Sequence, residues 1–196
     1  MASKTRKKFV WAIASIAIIT LASLLLSMNF DSDQSPEGAY QRITKAVSRN
    51  EAEEFFAYLE EPAQHACFTI VDYRKKSLQL AKAHYPKEAL LKLKNSFDVT
   101  ADVNNASELF ARIAQSEGWL DQLRQDMSGV ARVERVGPRA TVITQRGTRY
   151  SFRQRPNGIW GMTAFTSALV HDAQVASRDH QLVIESARDY QRGAAQ

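Results

Sequence analysis

Apolar and small polar residues follow one another without a charged side chain from position 9 to position 28, and this run predicts a membrane-spanning helix. At ~1.5 Å of rise per residue, a helix of that length reaches ~30 Å, the thickness of the hydrocarbon core of a bilayer. Four basic residues lie among the first eight, whereas Asp31 and Asp33 follow the run. Because positive charge stays on the cytoplasmic side, the N-terminus is expected inside and the rest of the chain outside.

Two other interpretations of this run stay open: a cleaved secretory signal and a buried core helix. The apolar part of a signal is typically ~7–15 residues long, and residues 27–31 show no small-x-small cleavage pattern. A core helix fits poorly between a basic tail and an acidic, polar exit. The favoured division is a cytoplasmic tail over 1–8, a transmembrane helix over 9–28, a tether over 29–35 and an extracytoplasmic domain over 36–192.

Beyond the tether, apolar residues recur at the spacing of amphipathic helices. Ser35 and Pro36 are typical of a helix start, since serine caps a helix and proline suits its first position. Gly118 interrupts the last helical stretch of this half. The predicted helices cover 36–47, 51–59, 61–85, a stretch around 87–97, and 107–127.

After residue 128 the apolar period changes to two, which is typical of β-strands. Short turns join these strands, so an antiparallel meander is expected. In the third strand, Tyr150 and Phe152 fall on one face, and three arginines fall on the other. The predicted strands cover 130–136, 139–145, 148–155 and 159–165.

A final helix over 166–192 carries an apolar stripe that includes Leu169, Leu182 and Val183, and Gly193 is expected to end it. The predicted fold class is α+β, with an N-terminal transmembrane helix, then helices, a four-stranded antiparallel meander and a long C-terminal helix. If the stripe pairs between two chains, the protein forms a homodimer through this helix.

The distribution of charge argues against the nucleic-acid partner that a pI of 9.4 suggests. Four of the 26 basic residues belong to the N-terminal tail, which leaves the domain nearly balanced against its 21 acids. Residues 129–165 are uneven, with seven arginines and Glu134 as the single acid. These arginines are either a solvated sheet face or a surface for an acidic partner or lipid headgroups.

Catalytic motifs are absent from the sequence. The four histidines lack the spacing of zinc sites, and neither a nucleophile elbow nor a phosphate loop occurs. Glu134 as a general base is less favoured than Glu134 as a salt-bridged sheet residue. Cys67, the single cysteine, lies in an apolar helical context and is predicted to be buried. The sequence therefore predicts no catalytic, metal-binding or cofactor-binding residue.

Aromatic and arginine side chains of the last two strands are the candidate contacts for a ligand or a surface. Trp160 is a candidate for lining a pocket, although core packing is the favoured interpretation. The arginines of the third strand are candidates for an anionic surface. The candidate contacts are Trp160, Phe152, Arg149, Arg153 and Arg155.

The order of helices before a meander, with Ser35–Tyr40 at the first helix and Arg155–Trp160 before the last strand, resembles nuclear transport factor 2-like domains. That superfamily includes polyketide-cyclase-like and ketosteroid-isomerase-like families, and the resemblance implies a cone-shaped α+β domain over residues 35–192. Its enzymes are implied to use an acidic base and an acid or tyrosine in the cone, and no position here matches them. The chain also resembles anchored envelope proteins of myxobacterial type, in which a helix like Ser177–Tyr190 follows the last strand. The helical segment at 105–127 and the long last helix depart from the pattern.

The predicted function is a non-catalytic binding or assembly module at the outer side of the cell inner membrane, with a protein partner in the envelope. This layout is similar to that of the inner-membrane assembly factor of type IV secretion machines. One alternative is a small-ligand binder or an isomerase/cyclase-like enzyme, which needs an open cone with an inward acid. The other is an arginine-faced module for anionic lipid or polymer, which predicts salt-dependent binding.

Overall fold

The computed structural model describes residues 32–194 of the chain. Among the described helices, none combines the length and the apolar composition that a bilayer crossing needs. The span predicted at 9–28 lies outside the described residues and stays a prediction. Residues 33–194 belong to one unit with its own hydrophobic core.

The first helix begins where the sequence predicts it. Ser35 Oγ accepts a hydrogen bond from Gly38 N at 3.0 Å, and Pro36 lies in the first turn. Asn50 ends this helix in the left-handed conformation, with φ of 60°. The helices are α1 (Pro36–Arg49), α2 (Ala52–Phe56), α3 (Glu61–His84), α4 (Lys87–Phe97), α5 (Ala106–Ser116), α6 (Trp119–Asp126) and α7 (Thr166–Ala194).

The strands form the predicted antiparallel meander. The register places Phe152 opposite Ala140 on one side and opposite Met162 on the other. Because side chains alternate between the two faces of a strand, these residues share one face, here called the inner face. Helix α1 packs on this face, where the rings of Tyr40 and Tyr150 lie 5.6 Å apart. The strands are β1 (Val130–Val136), β2 (Arg139–Thr144), β3 (Arg149–Gln154) and β4 (Trp160–Met162), in that spatial order.

The last strand is shorter than the predicted 159–165, and this is a correction. Phe165 leaves the sheet because its ring stacks on Trp119, with centroids 4.4 Å apart. Helix α7 then starts at Thr166, as predicted, but runs through Gly193 to Ala194. A glycine inside a helix costs only ~1 kcal/mol, so it does not force the helix to end.

Strand β4 has hydrogen-bonding neighbours on both of its edges. One edge pairs with β3, and the other receives the segment just before α3. Met162 N donates to Tyr58 O at 2.7 Å, and Glu60 N donates to Met162 O at 3.1 Å. This pairing connects the helical half of the domain to the sheet.

Helices α3 and α7 lie side by side and run in the same direction. Arg74 Nη1 donates to Asp179 Oδ2 at 2.6 Å, and further along the pair His84 contacts Gln191. Leu182 belongs to the stripe that the sequence predicts, yet 62% of it is exposed. The stripe that α7 actually buries within the chain consists of Leu169, Ala173, Ala176, Val183 and Ala187. The homodimer stays a prediction, for which α7 offers its opposite side.

Candidate binding surface on the sheet

The face of the sheet opposite to α1 is polar and open to solvent. In β3, Arg149 and Arg153 are exposed while Tyr150 and Phe152 are buried, as the alternation predicts. The register extends this pattern to β2 and β1, where Glu134 lies opposite Thr141. We call this surface the arginine face. Its charged members are Arg132, Glu134, Arg139, Arg149 and Arg153.

One half of the arginine face is a small ion-pair network. The carboxylate of Glu134 is 3.1 Å from Arg132 Nη2 and 2.6 Å from Arg149 Nη2. All three side chains are about half exposed, so each pair contributes less than ~1 kcal/mol to stability. Glu134 is thus a salt-bridged sheet residue on the solvent side, as expected, and one carboxylate serves two guanidinium groups.

The other half brings Arg139 and Arg153 directly opposite each other on β2 and β3. Like charges at opposing positions destabilise a strand pair, unless an anion lies nearby. Arg153 Nε is 3.7 Å from the carboxylate of Glu60, a side chain that is 7% exposed. Within residues 32–194, Arg139 has neither an ion pair nor a hydrogen-bond partner for its side chain. The excess positive charge of the face therefore lies at this pair.

Arg155, the third arginine predicted as a contact, is part of the fold. Its guanidinium donates to Gln64 Oε1 at 3.0 Å and to the carbonyl of Ala57, so it joins the β3–β4 turn to the start of α3. Burial lowers the pKa of Arg155, while Glu61, Tyr58 and Asp33 oppose that shift. The structure therefore brings Arg149 and Arg153 together on one face and places Arg155 apart from them.

Phe152 and Trp160, the aromatic candidates, lie on the inner face, and at most 1% of either is exposed. Trp160 N and Nε1 donate to the carbonyls of Asp33 and Gln34, at 3.4 and 3.0 Å. The guanidinium of Arg135 covers the Trp160 ring at 4.8 Å from its centroid. Both aromatic residues thus fill the core.

Two members of the arginine face, Arg132 and Arg139, are not among the contacts predicted from the sequence. The alternation within β3 can be recognised in the sequence, because Tyr150 and Phe152 mark its buried side. The first two strands lack such markers, since Val133 and Val136 flank Glu134 on both faces. The lengths of the turns are the signal that would place these residues, since they set the register between the strands. The register determines which residues of β1 and β2 share a face with Arg149 and Arg153.

The histidines and acids of the described residues make only local contacts. No group of three His, Cys, Asp or Glu side chains within 32–194 is placed to hold a metal ion. His180 contacts Ser77 Oγ through Nδ1 at 2.9 Å, and burial lowers its pKa. His65 is exposed beside Glu61, at 3.5 Å. These contacts are local ones, between neighbouring turns or helices.

A cleft of about 210 Å³ with polar and apolar walls lies between α3, the end of α4, α5 and α7. Burial raises the pKa of Asp172 in its wall, and Glu117 raises it further. Its cation, Arg74, is already held by Asp179 and lies 4.1 Å over the ring of Phe97. Arg74, the charged group that would orient a ligand in this cleft, thus already forms an ion pair between α3 and α7.

Cys67 is buried, as the sequence predicts, and it is fully shielded from solvent. Burial raises the pKa of its thiol to about 12, and the charge of Asp172 adds to the effect. Because the thiolate is the reactive form, we expect native Cys67 to react with a disulfide reagent at pH 8 ~1000-fold more slowly than in the unfolded chain. Stopped-flow absorbance with and without denaturant measures both rates, and similar rates would contradict the burial.

Comparison of the chain with protein-family models, with curated proteins and with solved structures gives no significant match.

Proposed function

We propose that this protein is a non-catalytic binding module, held at the outer side of a membrane by the span predicted at 9–28, whose arginine face binds an anionic partner. The observation that carries the proposal is the Arg139–Arg153 pair, which leaves one guanidinium without a counter-charge among the described residues. Guanidinium groups form paired, charge-assisted hydrogen bonds with carboxylate, sulfate and phosphate oxygens. An anion placed between the two side chains removes their mutual repulsion.

The sheet also supports this proposal mechanically. Hydrogen bonds on both edges of β2 and β3 fix the backbone that carries Arg139, Arg149 and Arg153. Binding therefore restricts only the side chains and orders no loop, which reduces the entropic cost of association. Arg132 and Arg149 lie opposite Ile143 on its two sides, and Ile143 is only 8% exposed.

The element order supports a relation in architecture to nuclear transport factor 2-like domains, which remains part of the proposal. Helices precede the meander, and α1 covers the inner face. The helices at Ala106–Asp126 and the long α7 depart from that pattern. Architecture alone does not determine function, so the arginine face carries the argument.

The small-ligand alternative receives no support from the inner face. That alternative needs an open apolar pocket with an inward acid. Phe152 and Trp160 are buried there, and Glu134 lies on the outer face. We therefore propose binding rather than catalysis.

The proposal predicts salt-dependent binding of a polyanion by the full chain in phosphatidylcholine nanodiscs. Fluorescent dextran sulfate is the probe, and its anisotropy reports binding. We expect the double substitution Arg139→Gln and Arg149→Gln to weaken binding at least about tenfold, which corresponds to ~1.4 kcal/mol. The affinity of the wild type is expected to fall as added salt screens the charges.

The matched control carries Arg178→Gln and Arg188→Gln, which remove the same charge from exposed positions of α7. We expect the control to bind within about twofold of the wild type, because its arginines lie outside the arginine face. Equal affinity of the face variant and the wild type would overturn the proposed function.

A further inference from the structure

One end of the sheet collects features that the arginine face alone does not explain. Here β1 and β3 end while β2 and β4 begin. Val136 lies opposite Arg139 at the tip of the first hairpin. Gln154 N donates to the carbonyl of Pro138 at 2.8 Å, which brings the end of β3 beside that tip. We call this region, with Arg135, the hairpin end.

The chain enters the domain at the same place. Trp160, the first residue of β4, hydrogen-bonds the carbonyls of both Asp33 and Gln34. The first residues of the domain are thus fixed at the hairpin end. Four residues separate Asp33 from Met28, where the predicted span ends. An extended chain of this length reaches at most ~17 Å.

The hairpin end has the composition of a surface that meets lipid. Val136 is 80% exposed, which exceeds the exposure of Phe68, Leu91 and Leu182. Arg139 follows it directly across the turn, and Arg135 precedes it. An apolar side chain beside arginines suits the boundary between headgroups and acyl chains, where charge and apolar contact act together.

We propose that the hairpin end lies against anionic lipid headgroups of the membrane that holds the chain. This inference rests on the proposed function, since it names the partner of the Arg139–Arg153 pair. Arg139 meets the lipid phosphates, and Val136 reaches the headgroup boundary. A soluble polymer would use the charges but not the exposed valine, and the position of the tether selects the lipid.

The acids near this end do not cancel its charge. Glu60 is buried and directed to Arg153. Asp33 is partly buried and acts electrostatically on Tyr58 and Arg155. Arg135 forms no ion pair within residues 32–194 either, but it stacks on Trp160 and donates to the carbonyl of Gly137. Arg139 is the arginine of the hairpin end whose guanidinium has no partner among the described residues. It is therefore the residue through which lipid charge is expected to act.

A fluorescent label tests the proposal in the full chain. Val136→Cys is labelled with an environment-sensitive nitrobenzoxadiazole group, while the buried Cys67 stays unlabelled. Nanodiscs contain phosphatidylcholine with or without phosphatidylglycerol, and nitroxide lipids quench the label. We expect quenching several-fold stronger with phosphatidylglycerol than without, together with a blue shift of the emission.

Leu182→Cys is the matched control, since it is another exposed apolar position and belongs to α7 rather than to the hairpin end. We expect no lipid-dependent quenching there. Arg139→Glu is expected to abolish the quenching at position 136, whereas Arg178→Glu is expected to leave it unchanged.

Three results would overturn the lipid contact. One is equal quenching of the labels at positions 136 and 182. Another is quenching at position 136 that changes neither with phosphatidylglycerol nor with the Arg139→Glu substitution. The third is failure of the full chain to float with lipid, which removes the anchor. If nitroxide lipids do not quench the label at position 136, the proposed lipid contact is wrong. If dextran sulfate binding still depends on Arg139 in that case, the proposed function stands.

Discussion

Replacing Gly161 by alanine is expected to destabilise the domain by about 3 kcal/mol, the upper end of the usual range for overpacking. A Cβ at this position would lie 2.6 Å from the Cα and N of Glu60 and from the carbonyl oxygen of Leu59. These atoms are backbone, and hydrogen bonds to Met162 hold them in place. The clash can be relieved only by breaking the pairing between β4 and the segment before α3.

Thermal unfolding of the full chain, followed by far-UV circular dichroism, measures the effect. A loss of about 3 kcal/mol corresponds to a fall in Tm of roughly 6–12 °C for a domain of this size. Gly193→Ala is the control, because a Cβ there meets no atom within 4 Å. If the Gly161→Ala variant unfolds at the same temperature as the wild type, the close approach of the Glu60 backbone to Gly161 is contradicted.

Gly161 also shows where sequence reasoning stops. The stretch 159–165 has the composition of a strand, and the helix starts at Ser35 and Pro62 carry local signals that predict them. The partner of Gly161 is the segment 58–60, about a hundred residues earlier in the chain. The local periodicity of the sequence does not predict that contact. It does not predict the stacking of Phe165 on Trp119 either, which places Phe165 with the helices rather than in the sheet.

The candidate contacts divide in the same way. Arg149 and Arg153 could be placed on one face because buried aromatic residues alternate with them in β3. The position of Arg139 opposite Arg153 follows from the register of a second hairpin, which the sequence leaves implicit. The sequence pattern groups Arg155 with Arg149 and Arg153, but its guanidinium is hydrogen-bonded to Gln64 and to the carbonyl of Ala57. Tertiary contacts therefore decide which arginines are available to a partner.

The two ends of the arginine face differ in a manner relevant to binding. Glu134 partly neutralises Arg132 and Arg149, whereas the buried Glu60 is directed only to Arg153. A partner that approaches the face thus encounters its strongest positive charge near the point where the chain enters the domain. This asymmetry links the membrane-proximal position expected from the tether with the chemistry of the face.

Trp160 is the residue on which that link depends, and Trp160→Ala is expected to remove ~3–5 kcal/mol of stability. Its ring is fully buried, and its Nε1 donates to the carbonyl of Gln34. Truncation to alanine leaves a cavity and removes the hydrogen bond to the Gln34 carbonyl. It also removes the ring on which Arg135 stacks. Since domains are typically stable by only ~5–15 kcal/mol, this is a large fraction of the total.

Two further variants separate the ring from the hydrogen bond. Trp160→Phe keeps an aromatic ring and loses the donor, so we expect a loss of ~1–2 kcal/mol. Trp119→Phe removes an indole from a partly exposed site and is expected to cost less than Trp160→Ala. Urea unfolding of the full chain, followed by far-UV circular dichroism, ranks the three. If Trp160→Ala and Trp160→Phe lose the same stability, the hydrogen bond to Gln34 dominates. If Trp160→Ala unfolds like the wild type, the ring is not the core residue that fixes the start of the domain to the sheet.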